Sequence, residues 1–250
     1  MVWGMSLPEN FGEFWPNGDF EYDPKTRETG WYARLTAYYS EQTPDEQQRL
    51  FDFKGDPRDA ARRYGTFPSY KFKAEPGSVD KDDLKPAYGA IEPHEIPRSF
   101  DTAKTFKTLG SLFTPGSKIL AVDAQMKSII ERLEPSMHGF YPFEIRMPKG
   151  QVYPGQYYIL RVGQYFDAFS RNDSWEGSVE DSANVPGLLH LNSYKKGVVG
   201  LAFRTSVFGG AHLWRDRQFP AELTCFSDAL VAEIEGAGLR IPKHYKMKEV

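Results

Sequence analysis

The chain of 250 residues has a single cysteine, Cys225. That excludes an intramolecular disulfide framework and a thiolate zinc cluster drawn from this chain alone. Long apolar runs are missing too. The longest are short stretches such as residues 119–122, whereas a membrane-spanning helix needs about 20 apolar residues. The opening MVWGMSLPENFGEFWP has no basic segment and no apolar core of the kind a secretory leader carries. The expectation is a cytoplasmic protein with no membrane contact, and the lone Cys225, inside the apolar run LTCFS, reads as a buried structural thiol. An excess of positive charge is also absent. With 31 basic and 34 acidic residues the net charge is −3, which argues against binding nucleic acid through overall charge.

Recognisable catalytic apparatus is lacking as well. The five histidines stand at 94, 138, 190, 212 and 244, and no two are three or four residues apart, so no helix presents a histidine pair to a metal. His94-Glu95-Ile96-Pro97 begins like a zinc-protease motif, but the second histidine is missing and Pro97 forbids the helix. No phosphate-binding glycine loop and no nucleophile elbow occur. The Ser-x-x-Lys strings at 78–81 and 193–196 have no helix to align them. No metal and no cofactor are expected. Asp167 follows a strand-like run inside Tyr165-Phe166-Asp167-Ala168-Phe169. A carboxylate among such neighbours is expected to accept hydrogen bonds from a turn or to pair with an arginine, because an unpaired buried charge is costly.

What the chain has in quantity is aromatic residues, with 18 Phe, 14 Tyr and 5 Trp, and turn formers, with 22 Gly and 18 Pro. Together they indicate a protein rich in strands and loops. Residues 31–39 (WYARLTAYY) have the aromatic character of a strand. Thr43-Pro44-Asp45-Glu46 opens a helix to about residue 53, and Asp56-Pro57 opens another to about residue 64. The prolines at 68, 76, 86, 93 and 97 make residues 65–100 a long loop or extended segment. Residues 118–122 read as a strand. Asp123 then caps a helix over 124–134, with Met126, Ile129, Ile130 and Leu133 on one face. Strands at 140–147 and 156–162 flank a turn-rich segment and form a hairpin or meander. Residues 170–187 have loop composition. Further strands are expected at 188–191, 198–205, 212–214 and 223–226. Ser227 caps a helix over 228–235 that Gly236 and Gly238 end, and a last strand lies near 241–247. No repeat with a period of 20–50 residues is visible.

This order predicts an α+β fold, mostly antiparallel sheet with a few short helices and long Pro/Gly-rich loops. It also predicts a division into residues 1–110, loop-rich with two short helices and packed on the rest, and an α+β domain over 111–250. The candidate stretches for stacking by interleaved aromatic and basic residues are 64–73 and 212–217; neither carries a sheet-face motif of an RNA-recognition domain, so no direct nucleic-acid contact is expected. The aromatics are expected to anchor irregular N-terminal chain to a sheet built from C-terminal strands.

Several C-terminal runs carry a family likeness: Lys118-Ile-Leu-Ala-Val-Asp123 with its capped helix, then Phe140-Tyr-Pro-Phe-Glu144. Tyr157-Tyr-Ile-Leu160 and Asp167-Ala-Phe-Ser170 follow. Last come His212-Leu-Trp-Arg215 and Leu223-Thr-Cys-Phe-Ser-Asp-Ala-Leu230 with its glycines. Over residues 112–245 this succession resembles the bacterial immunity-protein family numbered eleven in polymorphic toxin systems. The resemblance implies a protein without enzymatic activity that binds and neutralises a cognate toxin, in interbacterial competition through type VI or contact-dependent secretion. It offers no catalytic residues. The partly matching Asp167 and Arg215 read as fold-maintaining.

The best candidate contact surface is the acidic loop that carries Asp173, Glu176, Glu180 and Asp181 around Trp175. An exposed tryptophan ringed by carboxylates suits a basic partner such as a nuclease toxin. The alternative for the same loop is a solvated segment whose tryptophan folds back on the sheet. Residues 65–100 offer a second surface. Two other functions stay open from sequence: a hydrolase in which Asp167, His190 or His212 converge in a pocket, and an accessory component of a secretion apparatus.

Overall fold

A computed structural model describes residues 1–23, 28–42, 67–73, 90–183, 187–192, 198–219 and 223–250. The helices expected at 44–53 and 57–64 lie outside the described residues. The first strands are β1 (Val2–Ser6), β2 (Gly18–Phe20), β3 (Tyr22–Asp23) and β4 (Glu28–Thr29). Helices α1 (Gly30–Ser40) and α2 (Phe67–Lys73) follow, then β5 (Ser99–Thr102), β6 (Leu112–Gly116) and β7 (Ile119–Asp123). Helix α3 (Ala124–Leu133) leads to β8 (Gly139–Met147), β9 (Gln151–Val152), β10 (Tyr157–Arg161) and β11 (Tyr165–Phe166). Next come β12 (Val179–Asp181), β13 (Leu189–Leu191) and β14 (Ala202–Phe203). A one-turn helix α4 (Thr205–Phe208), β15 (Leu213–Asp216), β16 (Leu223–Ser227), α5 (Asp228–Gly236) and β17 (His244–Glu249) complete the order.

The fold is α+β, mostly strand, as the sequence predicts. One sheet has the order β2-β5-β8-β10-β7-β6, with β9 added to β8; the other runs β11-β15-β16-β1-β17-β14. Strands from both sides of residue 110 share each sheet. Most neighbours are antiparallel, but β5 runs parallel to β8, β14 to β17 and β11 to β15.

Local chemistry fixes the two helices between the sheets. The Asp123 carboxylate accepts from the Met126 amide at 2.8 Å, and the Ser227 hydroxyl accepts from the Leu230 amide at 3.1 Å. Each satisfies an amide that the first turn leaves without a partner. Helices α3 and α5 pack on each other. Their apolar faces (Met126, Ile129 and Ile130; Leu230, Val231 and Ile234) join Met5, Leu112, Leu120, Val122, Leu160, Leu213 and Phe226 in the central core. A second core on the far side of the first sheet gathers Phe20, Trp31, Tyr39, Phe72, Phe100, Phe113, Phe143 and Tyr157. The N-terminal aromatics Phe20, Trp31, Tyr39 and Phe72 pack here against strands from further along the chain, but they stand on a strand and two helices and not on irregular chain. A third core, with Val2, Phe169, Phe203, Trp214, Phe219 and Cys225, lies on the far side of the other sheet. Full burial of a side chain of this size contributes roughly 2–3 kcal/mol.

Three expectations are corrected. Residues 31–39 form helix α1, not a strand. Trp31, Leu35 and Tyr39 are its buried residues, and a spacing of four is a helix face; the aromatic content misled because burial against a sheet suits aromatics in either element. Within the segment read as loop, Phe67–Lys73 is helical, because Pro68 stands in the first turn, where its missing amide costs nothing. Of the strand expected over 198–205, only Ala202–Phe203 is a strand, and a short helix starts at Thr205.

Candidate partner-binding site

The acidic segment leaves the second sheet at a tightly fixed point. Asp216 is fully buried. One of its carboxylate oxygens accepts from the amides of Ala168 and Phe169, both at 2.8 Å, and the other accepts from Gln218 at 3.0 Å. Burial pushes its pKa up to about 6 although these bonds pull downward. The buried carboxylate at this joint is Asp216. Asp167 itself is exposed and, as expected of it, accepts from a turn, through the Gln218 side-chain Nε2 at 3.0 Å. From sequence, residues 212–217 read only as a strand end and an aromatic-basic stretch, and nothing local marks Asp216 for burial.

From that joint the chain makes a compact turn. Ser170 donates to Asp173 at 2.6 Å, Ser174 donates to the Ser170 carbonyl at 2.7 Å, and the Ala202 amide donates to Ser174 at 2.9 Å. The Trp175 amide then bonds the Gly200 carbonyl at 2.8 Å. A 3₁₀ turn at Glu176–Ser178 leads into β12, which pairs antiparallel with β13.

Trp175 is 56% exposed. Its ring lies against two glycines: a Cβ at Gly177 would stand 2.9 Å from the ring's Cζ2, and one at Gly200 would stand 3.1 Å from the Cβ of Trp175. The indole thus rests on a backbone shelf that no larger residue would leave open. Asp173, Glu176, Glu180 and Asp181 are all exposed. Asp181 is held by Arg171 through two bonds of 2.8 and 2.7 Å. Glu176 and Glu180 form no ion pair with a described residue. Glu180 and Asp181 are consecutive in a strand and point to opposite faces of it. The Asp173 carboxylate accepts only from the Ser170 hydroxyl, so Asp173, Glu176 and Glu180 are the carboxylates around Trp175 without an ion pair to a described residue.

The remaining candidates have other tasks. Arg215 is buried and donates to the Lys73 carbonyl at 2.7 Å, which ties α2 to β15. Cys225 is completely buried, and burial pushes its thiol well up. His212 Nδ1 and the Ser227 hydroxyl lie 2.8 Å apart, with that hydroxyl already capping α5. His190 is exposed on β13 opposite Glu180. Asp167, His190 and His212 thus have different partners, and neither of two grooves, of 590 and 530 Å³, is lined by any of them. Among the described residues no group of three potential metal ligands occurs, and no helix is long and apolar enough to cross a membrane.

Residues 47–249 match the model of an immunity protein family, Imm11. The chain belongs to the Imm11 family. The match starts well before residue 112, so the family likeness takes in strand β5 and helix α2 as well as the C-terminal motifs. None of the curated proteins matches the chain.

Proposed function

We propose that this Imm11 protein neutralises a cognate bacterial toxin by binding it in the cytoplasm, and that Trp175 with Glu176 and Glu180 forms the centre of the docking surface. Membership of the family supports the immunity reading. The observation that carries the site is an exposed indole held against Gly177 and Gly200 beside carboxylates without ion pairs. A large aromatic side chain already fixed in its bound position loses little entropy on association. The carboxylates favour a basic partner and speed its approach. A nuclease toxin has that character, since its active site must attract phosphates, and delivery by a type VI or contact-dependent system fits the same reading. Asp173 and Asp181 add to the local field, with Asp181 moderated by Arg171.

Co-expression with a toxin encoded by a neighbouring gene tests this. The expected outcome is rescue of the host and a stable 1:1 complex; no rescue and no complex would remove the immunity reading. Trp175→Ala, and Glu176→Lys combined with Glu180→Lys, should each weaken binding by roughly 10- to 100-fold, as a hot-spot residue and a reversed charge pair do. The thermal midpoint should hold, because all three side chains are exposed. Protection with unchanged affinity in both variants would place the docking surface elsewhere.

A further inference from the structure

We propose that the chain is an internal duplication, in which two copies of one unit have each given their first strand to the other's sheet. The correspondence begins with strand order. The first sheet contains β5-β8-β10-β7-β6 and the second contains β14-β17-β1-β16-β15. Directions agree at every step. Strand β10 is antiparallel to β7 and β8, as β1 is to β16 and β17. Strand β5 is parallel to β8, as β14 is to β17, and β6 and β15 are antiparallel to β7 and β16.

Register agrees residue by residue. Tyr157 of β10 stands opposite Asp123 and Phe143; Val2 of β1 stands opposite Ser227 and Met247. Ile159 stands opposite Ala121 and Tyr141; Gly4 stands opposite Cys225 and Tyr245. One constant offset of 104 residues therefore carries β7, α3 and β8 onto β16, α5 and β17 with no gap. The same offset relates Asp123 to Ser227, which cap their helices through Met126 and Leu230. It also relates Glu144, opposite Ser99, to Lys248, opposite Ala202.

Bonds outside the ladders repeat too. The Asp123 amide bonds the Ser111 carbonyl at 3.0 Å, and that of Ser227 bonds the His212 carbonyl at 2.9 Å. The Glu144 amide bonds the Arg98 carbonyl at 3.0 Å, and that of Lys248 bonds the Leu201 carbonyl at 2.9 Å. Side chains face the same way in both copies. Leu112 and Leu213, Leu160 and Met5, and Ile130 and Ile234 all enter the central core. Phe113, Phe100 and Phe143 enter one outer core, while Trp214, Phe203 and Met247 enter the other. Two unrelated α+β halves could share a strand order; they have no reason to share register, capping position and facing at each equivalent residue.

The copies are 2–147 and 157–249, each in the order strand, insert, three strands, helix, strand. The proposed division falls in the β8–β10 connection, not at residue 110 where the composition changes. Strand β1 opens the first copy but lies between β16 and β17; β10 opens the second but lies between β7 and β8. Neither copy holds a complete sheet, so the two must open together.

Native-state hydrogen exchange on the intact chain tests this. The slow amides of β1 and β10 should exchange within about tenfold of each other, both by whole-molecule opening. Phe143→Ala, in the outer core of the first sheet, should speed the slow amides of β1 and β16 by the same factor as those of β7 and β8, on the order of 100-fold for a large buried apolar side chain. Met247→Ala, in the outer core of the other sheet, should do the same in reverse. Protection lost in one sheet only, or a β1 that exchanges far faster than β10, would overturn the reciprocal exchange. If either variant fails to fold, the comparison of β1 with β10 in the unaltered chain still decides between these outcomes.

Discussion

Glu134, the last residue of the α3 cap, holds three parts of the molecule through one nearly buried side chain. Its carboxylate accepts from the amides of His212 at 2.6 Å and Leu213 at 3.0 Å, from Gln164 at 2.5 Å, and meets the His138 ring at 2.8 Å. Burial alone would raise its pKa, but these partners together hold it below the ordinary carboxylate value of 4.5. The folded state therefore releases this proton more readily than the unfolded chain. Its contribution is complete above about pH 4.5 and is lost as pH falls through the lower folded value. Glu134→Gln should cost about 2–3 kcal/mol at pH 7. The gap from the unaltered chain should narrow below pH 4, as read from urea unfolding at a series of pH values. A gap independent of pH would show that the carboxylate's charge contributes nothing. Residue type alone did not reveal this role, nor which of Asp167 and Asp216 is buried. Asp167 follows β11 and Asp216 ends β15, and their environments differ because Asp216 faces the amides of a segment about 50 residues earlier.

The elements that read correctly from sequence are those decided by neighbours three or four positions away. The caps Asp123 and Ser227, the apolar face of α3 and the glycine stop after α5 are all of this kind. Asp123→Ala and Ser227→Ala should each cost about 1 kcal/mol, seen as a lower urea midpoint with an unchanged slope. Equivalent positions in a duplicated unit should lose similar amounts. A cap whose removal costs nothing would mean that tertiary packing alone holds that helix. For helix α1 composition points to a strand while the period points to a helix: Trp31, Leu35 and Tyr39 recur at helical spacing, and the period decides. Pro68 looks like a breaker from sequence, yet its place in the first turn makes it compatible with a helix. The candidate site was legible as chemistry, an acidic loop around a tryptophan, but not as geometry. That Trp175 is held outward by Gly177 and Gly200 depends on a contact between segments 25 residues apart.

At the scale of the molecule, the exchanged strands make the chain one cooperative body. A protease site placed at Pro154–Gly155, between the two copies, should yield a cut protein that still elutes as a single species, its fragments parting only in denaturant. Fragments that separate under native conditions would show that each copy keeps its own sheet. The two inserts, 7–98 and 162–201, join at equivalent strand ends and differ in length. An immunity protein that recognises one toxin would be expected to carry its specificity in such a place, and the acidic loop lies in the second insert. The whole-chain charge of −3 conceals that loop because basic residues elsewhere balance it.

By itself the sequence determined the α+β class, the capped helices with the strands that precede them, and the succession of motifs shared with the Imm11 family, since each rests on bonds and periodicities within a few residues. Only the tertiary structure decided that β1 completes the far sheet, that Asp216 is the buried carboxylate, and that Trp175 faces outward. Those outcomes depend on which distant backbone supplies the missing hydrogen bonds and which surfaces are removed from water together, and 104 residues of separation leave no local trace of either.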